Sequence, residues 1–172
     1  MRISIHNAQR RFRLDTAALK RLTLALAGLA QAFSRNSGRR ATSGRASPTG
    51  AVPWQEVTVH LLNDAASAEV NAAILAHEGA TDVITQRYEP LPGEPDGLIG
   101  ELFVNVEWAA RVASRRAGWS ADRELALYLA HGCDHLTGAD DHTPAERARM
   151  RRRELAWLKR LPLTPLFQTG NL

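Results

Sequence analysis

The chain has 172 residues, 44 % of them hydrophobic and 23 % charged, with one cysteine and a formal net charge of +4. That is the size and composition of one globular domain able to bury a core. A lone Cys133 excludes an internal disulfide and favours a reducing, cytoplasmic setting. No apolar run approaches the roughly 20 residues that cross a bilayer, and the basic opening MRISIHNAQRRF lacks the apolar stretch of a signal peptide, so no membrane partner is expected.

Ile3, Ser4 and Ile5 alternate apolar and polar, and residues 2–6 read as a short strand. Asp15 precedes Leu19, Leu22, Leu26, Leu29 and Phe33, whose spacing predicts an amphipathic helix over 16–33 with Asp15 as its cap. Residues 34–50 are rich in Ser, Gly and Arg and nearly free of large apolar groups, so a flexible loop is expected there. In residues 54–62, Val57, Val59 and Leu61 alternate with Glu56, Thr58 and His60, the pattern of a strand. Asp64 caps a predicted helix to about His77, and Gly79 follows where a helix would stop.

Residues 81–85 form a short β-branched strand, and the turn-rich YEPLPGEPDG separates it from another strand over 100–106. The two are expected as sheet neighbours joined by something longer than a tight hairpin. Helices are predicted over 107–117 and 121–137, the second ended by Gly138. Thr143, Pro144, Ala145 and Glu146 have the form of a capping box with proline in the first turn. They open a last helix to about Leu161, before a short tail at 162–172. This order predicts a single α+β domain over 1–172, a small mixed sheet of about four strands packed with about five helices.

Charge divides sharply along the chain. Residues 1–45 carry ten Lys/Arg against Asp15 alone; residues 46–142 carry five basic and fifteen acidic groups; residues 143–172 carry seven basic and two acidic. The acidic middle suits a metal, and the basic flanks suit a polyanion through phosphate contacts. Two solvated helix faces and a basic loop account for the flanks equally well.

The chemistry concentrates in LAHGCDHLTGADDH, residues 129–142. His131 and His135, spaced i, i+4, leave one face of a helix one turn apart, which suits two nitrogen ligands on one divalent ion. Gly138 then lets the chain fold back and bring Asp140, Asp141 or His142 to the same point. Position 132 is glycine, so the glutamate of the HExxH zinc proteases is missing and that peptidase chemistry is disfavoured.

HGCDHLTGADDH resembles the HGxLHLxGxDH signature of the YbeY endoribonuclease family, the bacterial rRNA maturation factors. The segment Thr81-Asp82-Val83-Ile84-Thr85 is similar to that family's TDVLSF strand, Gly100-Glu101 to its following strand, and Asn71 to its LN position. The likeness spans nearly the whole chain. There are departures. Asp134 stands where the family usually has leucine, Leu75 where it has an arginine, and Gln86 followed by Arg87 where it has phenylalanine. An ungapped register puts the family's last histidine on Asp141; a one-residue insertion puts it on His142.

The resemblance implies one zinc ion held by His131, His135 and either Asp141 or His142. Three protein ligands leave a fourth position for water, the mark of a catalytic site. It further implies single-strand-specific RNA cleavage in 16S rRNA 3′-end maturation and ribosome quality control, with the ribosomal small subunit as partner. Arg39, Arg40 and Arg45 in the loop and Arg147, Arg151 and Arg152 on the last helix are candidate RNA contacts. Glu101 and Asp134 are candidates for supporting the ligands from behind. Cys133 reads as a small core residue, Trp108 and Trp157 as anchors, and His60 and His77 as surface residues. A non-catalytic rRNA-binding assembly factor with a structural zinc, or a hydrolase of a small substrate, are the other classes these residues allow.

Overall fold

A computed structural model describes residues 1–38, 53–89 and 97–168. Strand β1 (Arg2–Asn7) lies parallel to β2 (Trp54–Leu62), which lies parallel to β4 (Leu98–Asn105); β3 (Val83–Tyr88) closes the sheet antiparallel to β4. The spatial order is β1-β2-β4-β3, and five helices among the described residues complete the α+β domain. Strand alternation builds the core. Val57, Val59 and Leu61 of β2 and Leu102 and Val104 of β4 are fully buried, while Glu56, Glu101 and their neighbours face the other way.

Helix α1 (Thr16–Gly38) lays Ala18, Leu19, Leu22, Leu26 and Ala30 into this core. Its cap is the expected one: Asp15 Oδ1 accepts from the Ala18 amide at 2.8 Å. The helix runs to Gly38, five residues past its predicted end, so the segment expected to be loop from Ser34 begins as helix. Its remainder, with Arg39, Arg40 and Arg45, lies outside the described residues. Helix α2 (Asp64–Leu75) is capped by Asn63 rather than Asp64, whose carboxylate instead takes Arg111 at 2.6 Å. It ends two residues before His77 because Ala76 already adopts φ 54°.

Helix α3 (Val106–Ser114) follows β4 directly, and α4 (Ala121–Leu136) crosses β3 and β4 while touching α1, α3 and α5 (Pro144–Arg160). Eleven of the sixteen residues of α4 are buried, making it the central helix of the domain. Two glycines let it sit close to the sheet. A Cβ on Gly132 would lie 2.8 Å from Leu102 Cδ2 and 3.2 Å from Val83 Cγ2, and one on Gly100 would lie 2.9 Å from Leu136. Gly132→Val therefore forces α4 off the strands and is expected to cost about 2 kcal/mol, read as a lower midpoint in urea unfolding. The same geometry explains the missing glutamate of HExxH, since a side chain at 132 points into Leu102 and Val83.

The end of the described chain is tied down. Leu166 is fully buried, the Leu166 and Phe167 amides both donate to Asp122 Oδ1 (2.6 and 2.9 Å), and Phe167 bridges to Leu14. The segment from Pro162 to Gln168 is thus a strap tied to the start of α4.

Candidate metal centre

The two histidines stand on the last turns of α4. Ser120 caps the helix start by accepting from the Arg123 amide, and Gly138, at φ +85°, ends the helix and turns the chain back. That reversal carries Asp141 over the histidine face. His131 Nε2 and His135 Nε2 face each other at 3.1 Å, with Asp141 Oδ2 3.9 Å from the first and Oδ1 4.0 Å from the second. The three donors lie within 4.8 Å of one another and form a group that can hold a metal ion. His142 is turned out: its side chain is 85 % exposed and lies 3.1 Å from Asp140. Of the two candidates for the third donor, the loop brings Asp141 inward.

The hydrogen bonds behind the rings decide what the facing nitrogens are. His135 Nδ1 lies 3.0 Å from the Ala139 carbonyl oxygen, which can only accept, so Nδ1 carries the proton. His131 Nδ1 lies 2.6 Å from Glu154 Oε1 and donates to that carboxylate in the same way. With Nδ1 donating on each ring, the neutral form of each imidazole has its Nε2 lone pair free to coordinate. A cation satisfies both. The 3.1 Å separation is near the roughly 3.3 Å expected between ligands of a tetrahedral zinc with bonds of about 2.05 Å.

The two rings sit in different electrostatic surroundings. Burial pulls the His131 imidazole down, but its hydrogen bond to Glu154 and the charges of Glu154, Asp82 and Asp141 outweigh it and leave the pKa raised. His135 is lowered, first by burial and then by the neighbouring His131. Carboxylates have gathered around one imidazole at a point where positive charge is wanted.

Glu154 is the supporting group that sequence reasoning missed. It is 1 % exposed, comes from α5, and fixes the His131 tautomer. Its Oε2 makes no hydrogen bond among the described residues. Glu154→Gln is expected to weaken zinc affinity by roughly 10- to 100-fold, measured by competition with a chromophoric chelator. Of the residues expected to support the ligands, Glu101 lies elsewhere. Gly100 and Leu102 face α4, so Glu101 points to the opposite side of the sheet, where it meets His60 Nε2 at 3.0 Å and the Tyr88 hydroxyl at 2.8 Å. Asp134 is fully buried and takes two bonds from Arg153 Nε and one from Nη2 at 2.5–3.1 Å, so it joins α4 to α5 without a hydrogen bond to either histidine. Cys133 is buried, and its thiol is pushed up to about 12, which suits a core residue and not a ligand.

His131 and Asp141 open into a cleft of about 400 Å³ that Asp82, Arg147 and Arg151 also line. Arg147 Nη1 donates to the Asp141 carbonyl at 3.2 Å, and Arg151 Nε lies 3.9 Å from Glu154 Oε2. Two of the proposed RNA contacts thus stand beside the donor cluster.

A central helix offering two histidines, a returning loop offering a carboxylate, and an arginine-lined cleft beside them define a small α+β protein with a three-donor group that could hold a metal ion. The family model described as "Endoribonuclease YbeY" matches residues 5–162, and the chain belongs to that family. Similar proteins carry the same description. One from Rhodopirellula baltica is 40 % identical over 60 % of this chain and 52 % of its own length. One from Moorella thermoacetica is 35 % identical over 69 % of this chain and 81 % of its own. The match thus spans about half the length of the first of these relatives. A solution structure of a Thermotoga maritima protein is similar over 91 % of this chain and 87 % of that one, with 18 % identity and a TM-score of 0.48.

Proposed function

We propose that this chain is a zinc-dependent endoribonuclease that cuts single-stranded RNA, working on the small ribosomal subunit in 16S rRNA 3′-end maturation and ribosome quality control. The observation that carries the reading is the convergence of His131 Nε2, His135 Nε2 and Asp141, beside a cleft lined by Arg147 and Arg151. Three protein donors leave room for water or a phosphoryl oxygen, as catalytic zinc sites do. When bound, the ion lowers the pKa of water and polarises the phosphoryl group. The protein's own part is to hold both imidazoles in one tautomer through Glu154 and the Ala139 carbonyl, and to draw the phosphodiester in with guanidinium groups. The endoribonuclease description of the relatives supports the substrate.

The test is cleavage of single-stranded RNA by purified protein, with zinc measured on the same sample. Asp141→Ala is expected to lose both zinc and cleavage, and His142→Ala to keep both. Full zinc and RNA binding with no cleavage in any preparation would move the reading to a non-catalytic assembly factor.

A further inference from the structure

Water activation in this site lacks an assigned proton acceptor. In HExxH sites a glutamate beside the first histidine takes the proton, but here Gly132 is packed on Leu102 and Val83. Three carboxylates line the cleft: Asp82, Asp141 and Glu154. Asp141 belongs to the donor cluster. Glu154 is 1 % exposed and bound through Oε1 to His131, out of reach of a substrate water. Asp82 is the one left, and it stands outside the donor cluster.

We propose that Asp82 is the general base of the cleavage reaction, an inference that rests on the nuclease reading above. Its position is fixed at the start of β3. Oδ1 accepts from the Val83 amide at 2.8 Å and from the Thr81 hydroxyl at 3.1 Å, and the Asp82 carbonyl accepts from the Asn105 amide at 2.8 Å. Among the described residues no hydrogen bond occupies Oδ2, so one oxygen anchors the group while the other is free to accept. The side chain lines the same cleft as His131, and its charge acts on that imidazole. Arg147 and Arg151 come from α5 and supply positive charge for the phosphate.

The step balances without any further reactant. The oxygen of the attacking water bonds to phosphorus as its proton passes to Asp82 Oδ2. The bond from phosphorus to the departing ribose oxygen breaks, and its electron pair leaves with that oxygen. A solvent proton neutralises the ribose oxygen, and Asp82 returns its proton to solvent.

Asp82→Asn keeps the Oδ1 acceptor for Val83 and Thr81 but cannot take a proton. The expected result is a fall in kcat of about 10²- to 10⁴-fold, with zinc content and single-stranded RNA affinity unchanged. Asp82→Glu, which keeps a carboxylate, is expected to recover part of the rate. Asp82→Ser, which also retains a short acceptor, gives the same reading should the asparagine variant fail to fold. A zinc-loaded Asp82→Asn that cuts within threefold of wild type overturns the assignment, as does loss of zinc from the folded variant, which would make Asp82 part of the metal site. Wild-type protein that carries zinc yet cuts no RNA removes the nuclease reading and the base together; wild-type cleavage with an unimpaired Asp82→Asn removes the base alone.

Discussion

His131→Ala and His135→Ala are each expected to lose bound zinc and to lower RNA cleavage by more than about 10³-fold, because the ion's stabilisation of transition-state charge is worth several kcal/mol. Among the described residues three donors converge, and no other histidine or cysteine stands ready to replace one that is removed. His142 is turned away toward Asp140, and Cys133 is buried with its thiol raised to about 12. The fold itself is expected to survive. Each imidazole makes one supporting bond, to Glu154 or to the Ala139 carbonyl, and both rings are partly exposed. The measurement is zinc per chain by elemental analysis beside single-turnover cleavage, with circular dichroism as the fold control. A His135→Ala protein that retains stoichiometric zinc would show that the facing nitrogens are not the ligands. Chelation of the wild type is expected to reproduce the same loss, reversed by added zinc.

Arg153→Met is expected to destabilise the domain by about 3–5 kcal/mol. Asp134 is fully buried and depends on Arg153, which grips both of its oxygens from the neighbouring helix. Removing the guanidinium leaves a carboxylate charge with neither water nor partner. The reverse change is milder. In Asp134→Leu, which installs the residue usual in the family, the Arg153 side chain is 18 % exposed and rests over the Phe33 ring at 4.5 Å, so its charge can move toward solvent. The double variant Asp134→Leu, Arg153→Met is expected to regain most of the stability, since well-packed apolar replacements of buried pairs are often neutral. Urea unfolding of the four proteins in a double-mutant cycle reads the coupling directly. A loss in the double variant equal to the sum of the two single losses would show that the pair contributes nothing beyond packing.

The donor cluster was legible because it is local. The i, i+4 spacing of His131 and His135 and the break at Gly138 lie within one helix and its exit, where sequence distance and spatial distance agree. The sheet was legible for a similar reason: apolar alternation in β2 and β4 states which face is buried, and the four strands follow. Glu154 was not legible, because it lies 23 residues from His131 and meets it only through the packing of α5 on α4. Within RRRE the sequence offers a charged helix face and no sign of which side chain turns inward. Glu101 is a different case. The alternation of Gly100, Leu102 and Val104 already placed it on the far face of its strand, and that pattern could have separated it from the metal site. The overrun of α1 past Phe33 was not legible, because residues 34–38 carry no large apolar side chain to mark a buried helix face.

The strap formed by Leu166 and Phe167 has a consequence for the order in which the molecule assembles. His131 and Glu154, which build the metal site across α4 and α5, are near neighbours in sequence, whereas Leu14 and Phe167 meet across more than 150 residues. Loop-closure entropy makes the first kind of contact quick and the second slow. Asp15, at the start of α1, comes early in the chain, and Leu166, whose carbonyl accepts from the Asp15 amide, follows more than 150 residues later. The α4–α5 pair that holds His131 and Glu154 is therefore expected to form before Leu166 and Phe167 close on the N-terminal residues.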